Sequence, residues 1–575
     1  MTYTRGGDPS RLTGRPPVDP AVSEASRLLC AGTYLDGAYR DAVLDELYIH
    51  EERIPAPSYG FDATRVLAHA LRARRFELAW AWGMLALWVL AFPLTGGLVL
   101  LLLIPFLTLA VARWIRGRAP NPPWPRRLLA FLVRLYGRLV LALSLFGLVL
   151  TAASGAQWSA DLVRWVVNAL LPDVIATVPP TGSVGGGAGR AWGVLAVFAL
   201  IAAAVGLQRG QFARVMAGEL SPRRFADRAA DPAEQSTGVR FARLRRRIAV
   251  EQHSPLIMYR SGDPFCGAGY SFQPWALAVE LKPRKDRKEP PETVSNTEVL
   301  RRVWPLVAEL RVPSGEPVRA AAVRDRLREL VLDECVFLPV TGLPRRELAP
   351  YGHPDYERHR AGSVEEGGET RRHFLRIRVG GWNEEVVTTV FVRVHTQGGM
   401  LMLEVAPHVL LPVRRLFQEA DRIAHQYRHN SWFGKAVWAC AHTPASPGVA
   451  LVSLWRGAVG VWKLLTGGHG GAMPDGPSYS VRELASDGDA SLFQEMDFDR
   501  YLKSIQDRVA GGVKAALRDA GWQTEEFAQQ VVNVVNKSLH IGSVHNSAFA
   551  VGDDNRISNQ GDKGGGGHGT SAGTG

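Results

Sequence analysis

Residues 78–112, "LAWAWGMLALWVLAFPLTGGLVLLLLIPFLTLAVA", form a run without a single charged side chain. As one continuous helix this run would be about 52 Å long, well beyond the roughly 30 Å hydrocarbon core of a bilayer. A proline and two glycines interrupt it near the middle, at Pro93, Gly96 and Gly97. Because these residue types end or bend helices, the run predicts a hairpin of two spans, at about 77–94 and 96–113.

Two further apolar stretches, at about 135–153 and 191–208, predict a third and a fourth span, so that residues 76–210 form a four-span α-helical membrane domain. Between them, residues 154–189 contain Arg164 as the one basic residue. Cytoplasmic loops carry an excess of Lys and Arg, and here the arginines flank the other ends of the spans. Both termini are therefore predicted to be cytoplasmic, in a multi-pass protein of the inner (plasma) membrane whose first partner is the lipid bilayer. The flanking residues are Arg72, Arg74, Arg75, Arg113, Arg116, Arg118, Arg209, Arg214, Arg223 and Arg224.

The net charge of +12 is explained by this topology and by anionic lipid headgroups, since the main basic clusters adjoin the predicted spans. No nucleic-acid partner is expected. The cysteines are widely spaced and form no CxxC pair, which argues against a disulfide framework or a zinc knuckle and fits a reducing compartment. They are Cys30, Cys266, Cys335 and Cys440.

Hydrophobic periodicity predicts cytoplasmic structure on both sides of the membrane domain. Residues 1–75 are expected to form a helical region. A polar linker at 228–238 leads to an α+β domain at 240–430 with an antiparallel sheet. Within that domain, 372–411 predicts three antiparallel strands, and 321–334 predicts an amphipathic helix.

Residues 446–467 predict an amphipathic helix that lies in the membrane surface. Its apolar surface carries Trp455 and Trp462, and one polar stripe recurs at three- and four-residue spacing through Ser453, Arg456, Gly460 and Lys463. An apolar helix with a single polar stripe is typical of an interfacial helix. Two alternatives remain open: the helix packs against the soluble domain, or it is a fifth span that exports the C-terminal tail.

Candidate catalytic and ligand-binding residues are weak. The stretch "GDPFCGAGYS" (262–271) has glycines but matches neither phosphate-binding loop pattern, and Cys266 lacks an assignable His or Asp partner. The cluster "HPDYERH" (353–359) matches no established metal spacing and is expected to be a solvated loop. The sequence therefore predicts no catalytic residue, no cofactor and no metal ligand.

The C-terminal region begins with a predicted helical pair at 495–536 and continues at 537–575 into a strand-like motif and a disordered glycine-rich tail. Apolar residues alternate in the motif and are interrupted by Gly and Asn. A strand pair this small needs a neighbour, which is either its own domain or stacked copies of itself. The predicted interaction residues are Ile541, Gly542, Asn546, Phe549, Val551, Gly552 and Asn555, and residues 538–558 are the segment for a protein partner or self-association.

The run from Phe549 to Asn555, with an apolar pair around Ala550, then Gly552 and Asn555, resembles the core of the amyloid signalling motifs, the RHIM-like class and its bacterial relatives. This resemblance implies recruitment of partners with a matching motif. It covers about 20 residues at the chain end and departs from the animal version at Ala550, where Gln is usual.

The stretches "PSYGFDATRVLAHALRARR" and "YRSGDPFCGAGY" resemble uncharacterised multi-pass membrane proteins of actinobacteria, a family with no assigned activity. Together the features predict a membrane-anchored cytoplasmic scaffold or signalling protein without catalysis. The alternatives are a membrane-bound enzyme of unknown reaction that uses the 254–281 turn, and an oligomeric pore-forming effector.

Overall fold

The computed structural model describes residues 19–117, 122–154, 187–235, 238–286, 290–310, 327, 330–365, 368–381, 386–486 and 490–539. Helices predominate, and a seven-stranded sheet lies in the second half of the chain. Residues 540–575, with the seven predicted interaction residues of the tail, lie outside the described part. Residues 537–539, predicted to begin the strand-like region, are instead the end of a helix.

The N-terminal region consists of short helices that begin at capping side chains. Ser23 accepts from the Ser26 N–H at 3.1 Å to start α1 (Glu24–Leu35), and Asp36 starts α2 (Gly37–Leu44) in the same way. A π-helical turn, Asp45–Ile49, follows. Such caps satisfy backbone donors that a first helical turn leaves without partners.

Five helices within the described residues are long and apolar enough to cross a membrane. They are α3 (Ala63–Leu94), Leu98–Arg116 with its 3-10 turn Leu98–Leu102 and α4 (Leu103–Arg116), α5 (Trp124–Ser154), α6 (Gly187–Gly218) and the broken helix Trp432–Thr466. The first apolar run is broken between Leu94 and Leu98, as predicted. At the break Gly96 and Gly97 have φ of 58° and 83°, a left-handed conformation that glycine adopts at low cost.

The sheet has the order β1-β4-β5-β6-β7-β2, and β3 also pairs with β7. Its strands are β1 (Leu256–Tyr259), β2 (Tyr270–Ser271), β3 (Trp275–Glu280), β4 (Leu330–Pro339), β5 (Arg372–Gly381), β6 (Val386–Gln397) and β7 (Met400–Leu410). The prediction of three antiparallel strands at 372–411 is confirmed. The prediction of a wholly antiparallel sheet is wrong, because β1 and β4 run parallel, with Leu256 opposite Val336.

The helix predicted at 321–334 is wrong in its last five residues. Strand β4 begins at Leu330, and Leu330 and Leu332 are buried at alternate positions, as a strand requires. Pairing with β5, which places Leu332 opposite Ile377, overrides the local helical spacing, since strand formation depends on neighbouring strands more than on sequence-local preference.

Both faces of the sheet are covered. On one face lie α8 (Asn296–Ala308), α15 (Leu492–Asp519) and α16 (Glu525–Leu539), which follows a break at Gly521 with φ of 90°. Helices α8 and α15 approach so closely that a Cβ on Gly512 would lie 2.7 Å from the Cα of Val303. On the other face Phe265 packs against Phe391, with 4.8 Å between the two ring centroids.

One hydrophobic core, here called the anchoring core, joins segments that are far apart in the chain. It contains buried residues from α1 to α3, from the end of α6 through α7 (Val239–Glu251), and from α10 (Arg415–Gln418), α11 (Ala420–His429) and α14 (Val481–Leu484). Residues 228–235 of the predicted polar linker are part of this packing, because Asp231 and Ala233 are 6% and 1% exposed.

Candidate membrane-interface site

The broken helix Trp432–Thr466 has two arms. Helix α12 (Trp432–His442) is followed by a 3-10 turn, Thr443–Ala445, and by α13 (Ser446–Thr466). Pro444 lies in the turn, where its ring and its missing N–H interrupt the helical ladder. The Thr443 hydroxyl donates to the Ala439 carbonyl at 2.9 Å and so satisfies a carbonyl at the break.

The first arm packs against α6. A Cβ on Gly206 would lie 3.5 Å from the Cβ of Ala439, so the two helices touch through small residues. The Arg209 guanidinium lies 5.6 Å from the ring centroid of Trp438. The Tyr427 hydroxyl, just before the arm, donates to the Gly206 carbonyl at 2.7 Å. Burial raises the pKa of Tyr427, which keeps this phenol a neutral donor.

The second arm packs against α3 in the opposite chain direction. Ser453 donates to Glu77 of α3 at 2.7 Å. Lys463, further along α13, pairs at 2.8 Å with Asp45, a residue that precedes α3 in the chain. Gly457 permits the contact, since a Cβ there would lie 2.8 Å from Leu78. The second arm therefore returns toward the N-terminal region from which α3 departs.

The residues predicted for the interfacial helix separate onto two sides of α13. Arg456 and Lys463 face the N-terminal helices, where Arg456 pairs with Asp41 at 3.6 Å. Trp455 and Trp462 point outward and are 70% and 67% exposed. Acids of the N-terminal region thus match the charges of the polar stripe. The helix packs on that region and on α3, not on the 240–430 domain that one alternative named. No described residue covers Trp455 and Trp462, and the location of the helix in the membrane surface stays a prediction.

A basic cavity of about 650 Å³ opens where α6, α11 and α12 meet. Four cations line it, and no acidic side chain is among its lining residues, which are Gly210, Ala213, Arg214, Ala217, Gly218, Ser221, Arg224, Tyr427, Arg428 and Lys435. Small residues of α6 line one side of the cavity, and Tyr427 of α11 packs against them. A Cβ on Gly210 would lie 3.3 Å from the Tyr427 hydroxyl.

The charged groups of this cavity suit an anion. Lys435 donates to the Arg428 carbonyl at 3.3 Å and lies 5.4 Å from the Tyr427 ring centroid. Arg214 donates to the Gly210 carbonyl at 3.4 Å. These contacts orient the cations without neutralising them, and a phosphate or carboxylate bound between them would supply the opposite charge.

In the sequence, Arg214 and Arg224 were explained by membrane topology and anionic lipid headgroups, and Arg428 and Lys435 were not singled out. More than 200 positions separate Arg214 and Arg224 from Arg428 and Lys435, and the packing of α11 and α12 on α6 brings the two pairs together. A basic pair next to a tryptophan-rich apolar helix was the available signal in the sequence.

The glycine-rich turn after β1 has a structural role. Its backbone N–H groups at Gly267 and Gly269 both donate to Oε1 of Glu483, at 2.8 and 2.9 Å. Sγ of Cys266 lies 3.9 Å from Oε2 of Glu483. Burial and this carboxylate raise the pKa of Cys266, whereas a nucleophilic cysteine needs its pKa lowered.

The cluster at 353–359 is helical and not the predicted loop, since it forms the start of α9 (His353–Glu365). Asp355 pairs with Arg358 at 3.1 Å, and Glu357 with Arg360 at 3.7 Å. The acids that suggested a ligand set are therefore matched by arginines one helical turn away, an arrangement that stabilises exposed helices.

Comparison with known proteins gives one match. No curated protein and no solved structure matches the chain. The family model described as the AbeC-like domain matches residues 274–547, just under half of the chain. This range runs from β3 through the broken helix to α16 and leaves out α3 to α6. An AbeC-like domain therefore covers residues 274–547 of this membrane-embedded protein.

Proposed function

We propose that this protein is a membrane-anchored scaffold or signalling protein, which holds a cytoplasmic body and its C-terminal segment at the inner face of the plasma membrane. The observation that carries the proposal is the anchoring core. Because residues before α3, after α6 and on both sides of the broken helix bury their side chains together, the body is continuous with the membrane helices and is not tethered by a flexible linker.

The anchoring core also supports a count of four crossings. A packed core lies on one side of a bilayer, and Ala73, Val215, Ala424 and Val481 all belong to it. The chain therefore crosses the bilayer an even number of times between Ala73 and Val215. It also crosses an even number of times, or not at all, between Ala424 and Val481. Crossings by α3, α4, α5 and α6, with the broken helix entering and returning, satisfy both conditions. The broken helix then dips into the membrane at Thr443–Ala445 and leaves on the side it entered.

The arginines at the ends of the helices support a cytoplasmic body and cytoplasmic termini. In that orientation the basic cavity lies at the inner headgroup layer, next to lipids that are anionic on the cytoplasmic side. Binding of a lipid phosphate between α6 and α12 would hold the first arm of the broken helix in place.

Anchoring also gives the C-terminal segment a role. Helix α15 and the start of α16 are packed on the sheet through Ile505, Val509 and Phe527, so residues 540–575 continue from a fixed body. Confinement at a surface raises the effective concentration of a weak recognition motif. Residues 538–558 are the proposed recruiting segment, by strand stacking with a partner or with copies of the same chain.

Templating of a peptide tests this role. Full-length protein in liposomes is mixed with a peptide of residues 536–560, and fibril formation is followed by thioflavin-T fluorescence and electron microscopy. The wild-type protein is expected to shorten the lag phase, the Gly552→Pro protein to leave it unchanged, and the control Gly566→Pro, outside the motif, to act as wild type. Equal lag phases with and without the wild-type protein would contradict the recruiting role.

Cysteine labelling tests the crossings. In a Cys440→Ser background, single cysteines at Asn430 and Gly470 are exposed to a charged maleimide in sealed inside-out and right-side-out vesicles. Both are expected to react from the cytoplasmic side, whereas a cysteine at Ser159 reacts from the other side. Reaction of the two flanking cysteines from opposite sides would show that the broken helix crosses.

A further inference from the structure

Three side chains of metal-ligating type meet where the second arm of the broken helix reaches the N-terminal region. They are His50 and Glu52, just after the π-helical turn, and His469, just after α13. Nδ1 of His50 lies 2.7 Å from Oε1 of Glu52, and Nδ1 of His469 lies 3.1 Å from Oε2 of the same carboxylate. The two imidazole rings are 4.3 Å apart between centroids.

One oxygen of this group lacks a hydrogen bond. Oε2 of Glu52 is buried and accepts no hydrogen bond from the residues that the structure describes, although Nδ1 of His469 is close to it. A buried carboxylate oxygen without a partner carries a desolvation cost. Nδ1 of His50 is hydrogen-bonded to the other oxygen, Oε1. A cation held by the two ring nitrogens and the carboxylate would supply the partner that Oε2 lacks.

The backbone around the three side chains is fixed. Residues 52–54 and Asp475 form a two-way bridge, in which the Ile54 N–H donates to the Asp475 carbonyl at 2.9 Å and the Asp475 N–H to the Glu52 carbonyl at 3.1 Å. The His469 ring folds back over Gly467, where a Cβ would lie 2.1 Å from Nε2 of His469 and 2.6 Å from the Lys463 carbonyl oxygen. The site is therefore built from ordered chain on both sides.

Asp45 completes the surroundings. Its carboxylate lies 3.6 Å from Nε2 of His50, the ring nitrogen that faces away from Glu52, and is itself paired with Lys463 at 2.8 Å. A carboxylate behind a ligating histidine is a recurrent feature of metal sites. The side chains of His50, Glu52 and His469 are 18%, 11% and 16% exposed, so an ion can enter.

We propose that His50, Glu52 and His469 bind a divalent transition-metal ion, Zn²⁺, which fastens the returning end of the broken helix to the N-terminal helices. Two imidazole nitrogens and one carboxylate oxygen form a ligand set that zinc accepts, with a water in the fourth position. Bonds of about 2.0–2.1 Å place neighbouring ligand atoms of a tetrahedral zinc about 3.3 Å apart. Here the three ligand atoms lie within 4.8 Å of one another, so a bound ion would draw them closer together.

Metal content and binding test the proposal on the full-length protein, purified in detergent without a histidine tag. After removal of metal with EDTA, Zn²⁺ is titrated and followed by calorimetry, Co²⁺ is used as a visible-absorption probe, and Mg²⁺ is the metal that should not bind. The wild-type protein is expected to take up about one Zn²⁺ per chain at this site. Asp45→Asn, which removes an outer-shell partner, is expected to weaken Zn²⁺ binding ~10–100-fold. His469→Gln, which removes a ligand, is expected to weaken it by more than that.

A matched control addresses the other histidines. His425 and His429 are one turn apart on exposed α11, with ring centroids 4.1 Å apart, and form the obvious competing chelator. The double variant His425→Gln/His429→Gln is expected to bind Zn²⁺ as wild type does. Loss of binding in this control, or equal binding by wild type and His469→Gln, would overturn the assignment.

Thermal unfolding separates loss of the metal from loss of the fold. In EDTA, His469→Gln is expected to melt as the wild-type protein does, and added Zn²⁺ should raise the melting temperature of wild type alone, since a ligand that binds the folded state stabilises it. If Zn²⁺ raises neither melting temperature, or raises both equally, the three side chains form a hydrogen-bonded cluster only. The outcome is independent of tail recruitment, because none of the three residues lies in residues 538–558.

Discussion

Replacing Asp231 with Ala is expected to loosen the anchoring core. The Asp231 carboxylate accepts from Nη2 of Arg65 at 3.0 Å and lies 3.0 Å from Nε2 of His69. Arg65 is 1% exposed, so without Asp231 its charge stays buried and loses its closest acid. Removal of one partner from a buried ion pair costs about 3–5 kcal/mol.

The expected loss lies at the lower end of that range, about 3 kcal/mol, because Arg65 keeps other partners. Its Nη1 donates to the Ala21 carbonyl at 2.6 Å, its Nε lies 3.3 Å from Glu234, and its guanidinium lies 3.5 Å from the ring centroid of Phe225. At 1.36 kcal/mol per decade, about 3 kcal/mol corresponds to a roughly 150-fold larger open population.

Hydrogen–deuterium exchange in detergent micelles measures this population. Amides of α1 and of the first turns of α3, on either side of Arg65, are expected to exchange about 150-fold faster in Asp231→Ala. Asp227, an exposed residue of the same segment that caps the Ala229 N–H at 3.1 Å, supplies the control, and Asp227→Ala should cost about 1 kcal/mol or less. Exchange in Asp231→Ala within threefold of the control would refute the reasoning.

Two further changes test the soluble body, each by chemical unfolding. Although burial raises the pKa of Glu334, hydrogen bonds from His373 and Arg360 and their charges lower it to about 2. The contribution of Glu334 to the free energy of unfolding is therefore fully present above its ordinary pKa of about 4.3. This contribution is lost as the pH falls toward 2. Glu334→Gln should cost about 2–3 kcal/mol at pH 7 and about 1 kcal/mol or less at pH 2.5, and an equal cost at both pH values would contradict the pKa. Gly269 has φ of 93°, and a Cβ there would lie 2.1 Å from the Val409 carbonyl oxygen; Gly269→Ala should cost about 3 kcal/mol or more, whereas Gly262→Ala, in open space, should change little.

The site shows where sequence reasoning stops. The polar stripe of α13 is visible as a period of three and four residues, and that period is set by the helix itself. The partners of the stripe cannot be read from the helix, because they lie more than 400 positions away in the chain. Arg456 pairs with Asp41, and Lys463 pairs with Asp45. The pattern was equally typical of a helix with its charges in water. The same limit applies to His50 and His469, whose proximity depends on the return of the second arm.

Linear sequence determined the elements whose cause is local. A charge-free run longer than a bilayer, broken by Gly96 and Gly97, has few outcomes other than a pair of apolar helices. Alternation from Phe374 to Val379, with glycine-rich turns after it, predicted the three paired strands. Tertiary structure decided the rest, because the energies involved are shared between distant segments. Strand β4 forms because it pairs with β1 and β5 on either side. The polar segment around Asp231 packs into the anchoring core because Asp231 pairs with the buried Arg65. The arms of the broken helix are separated at Pro444, yet their direction follows from packing on α6 and α3, which no local pattern encodes.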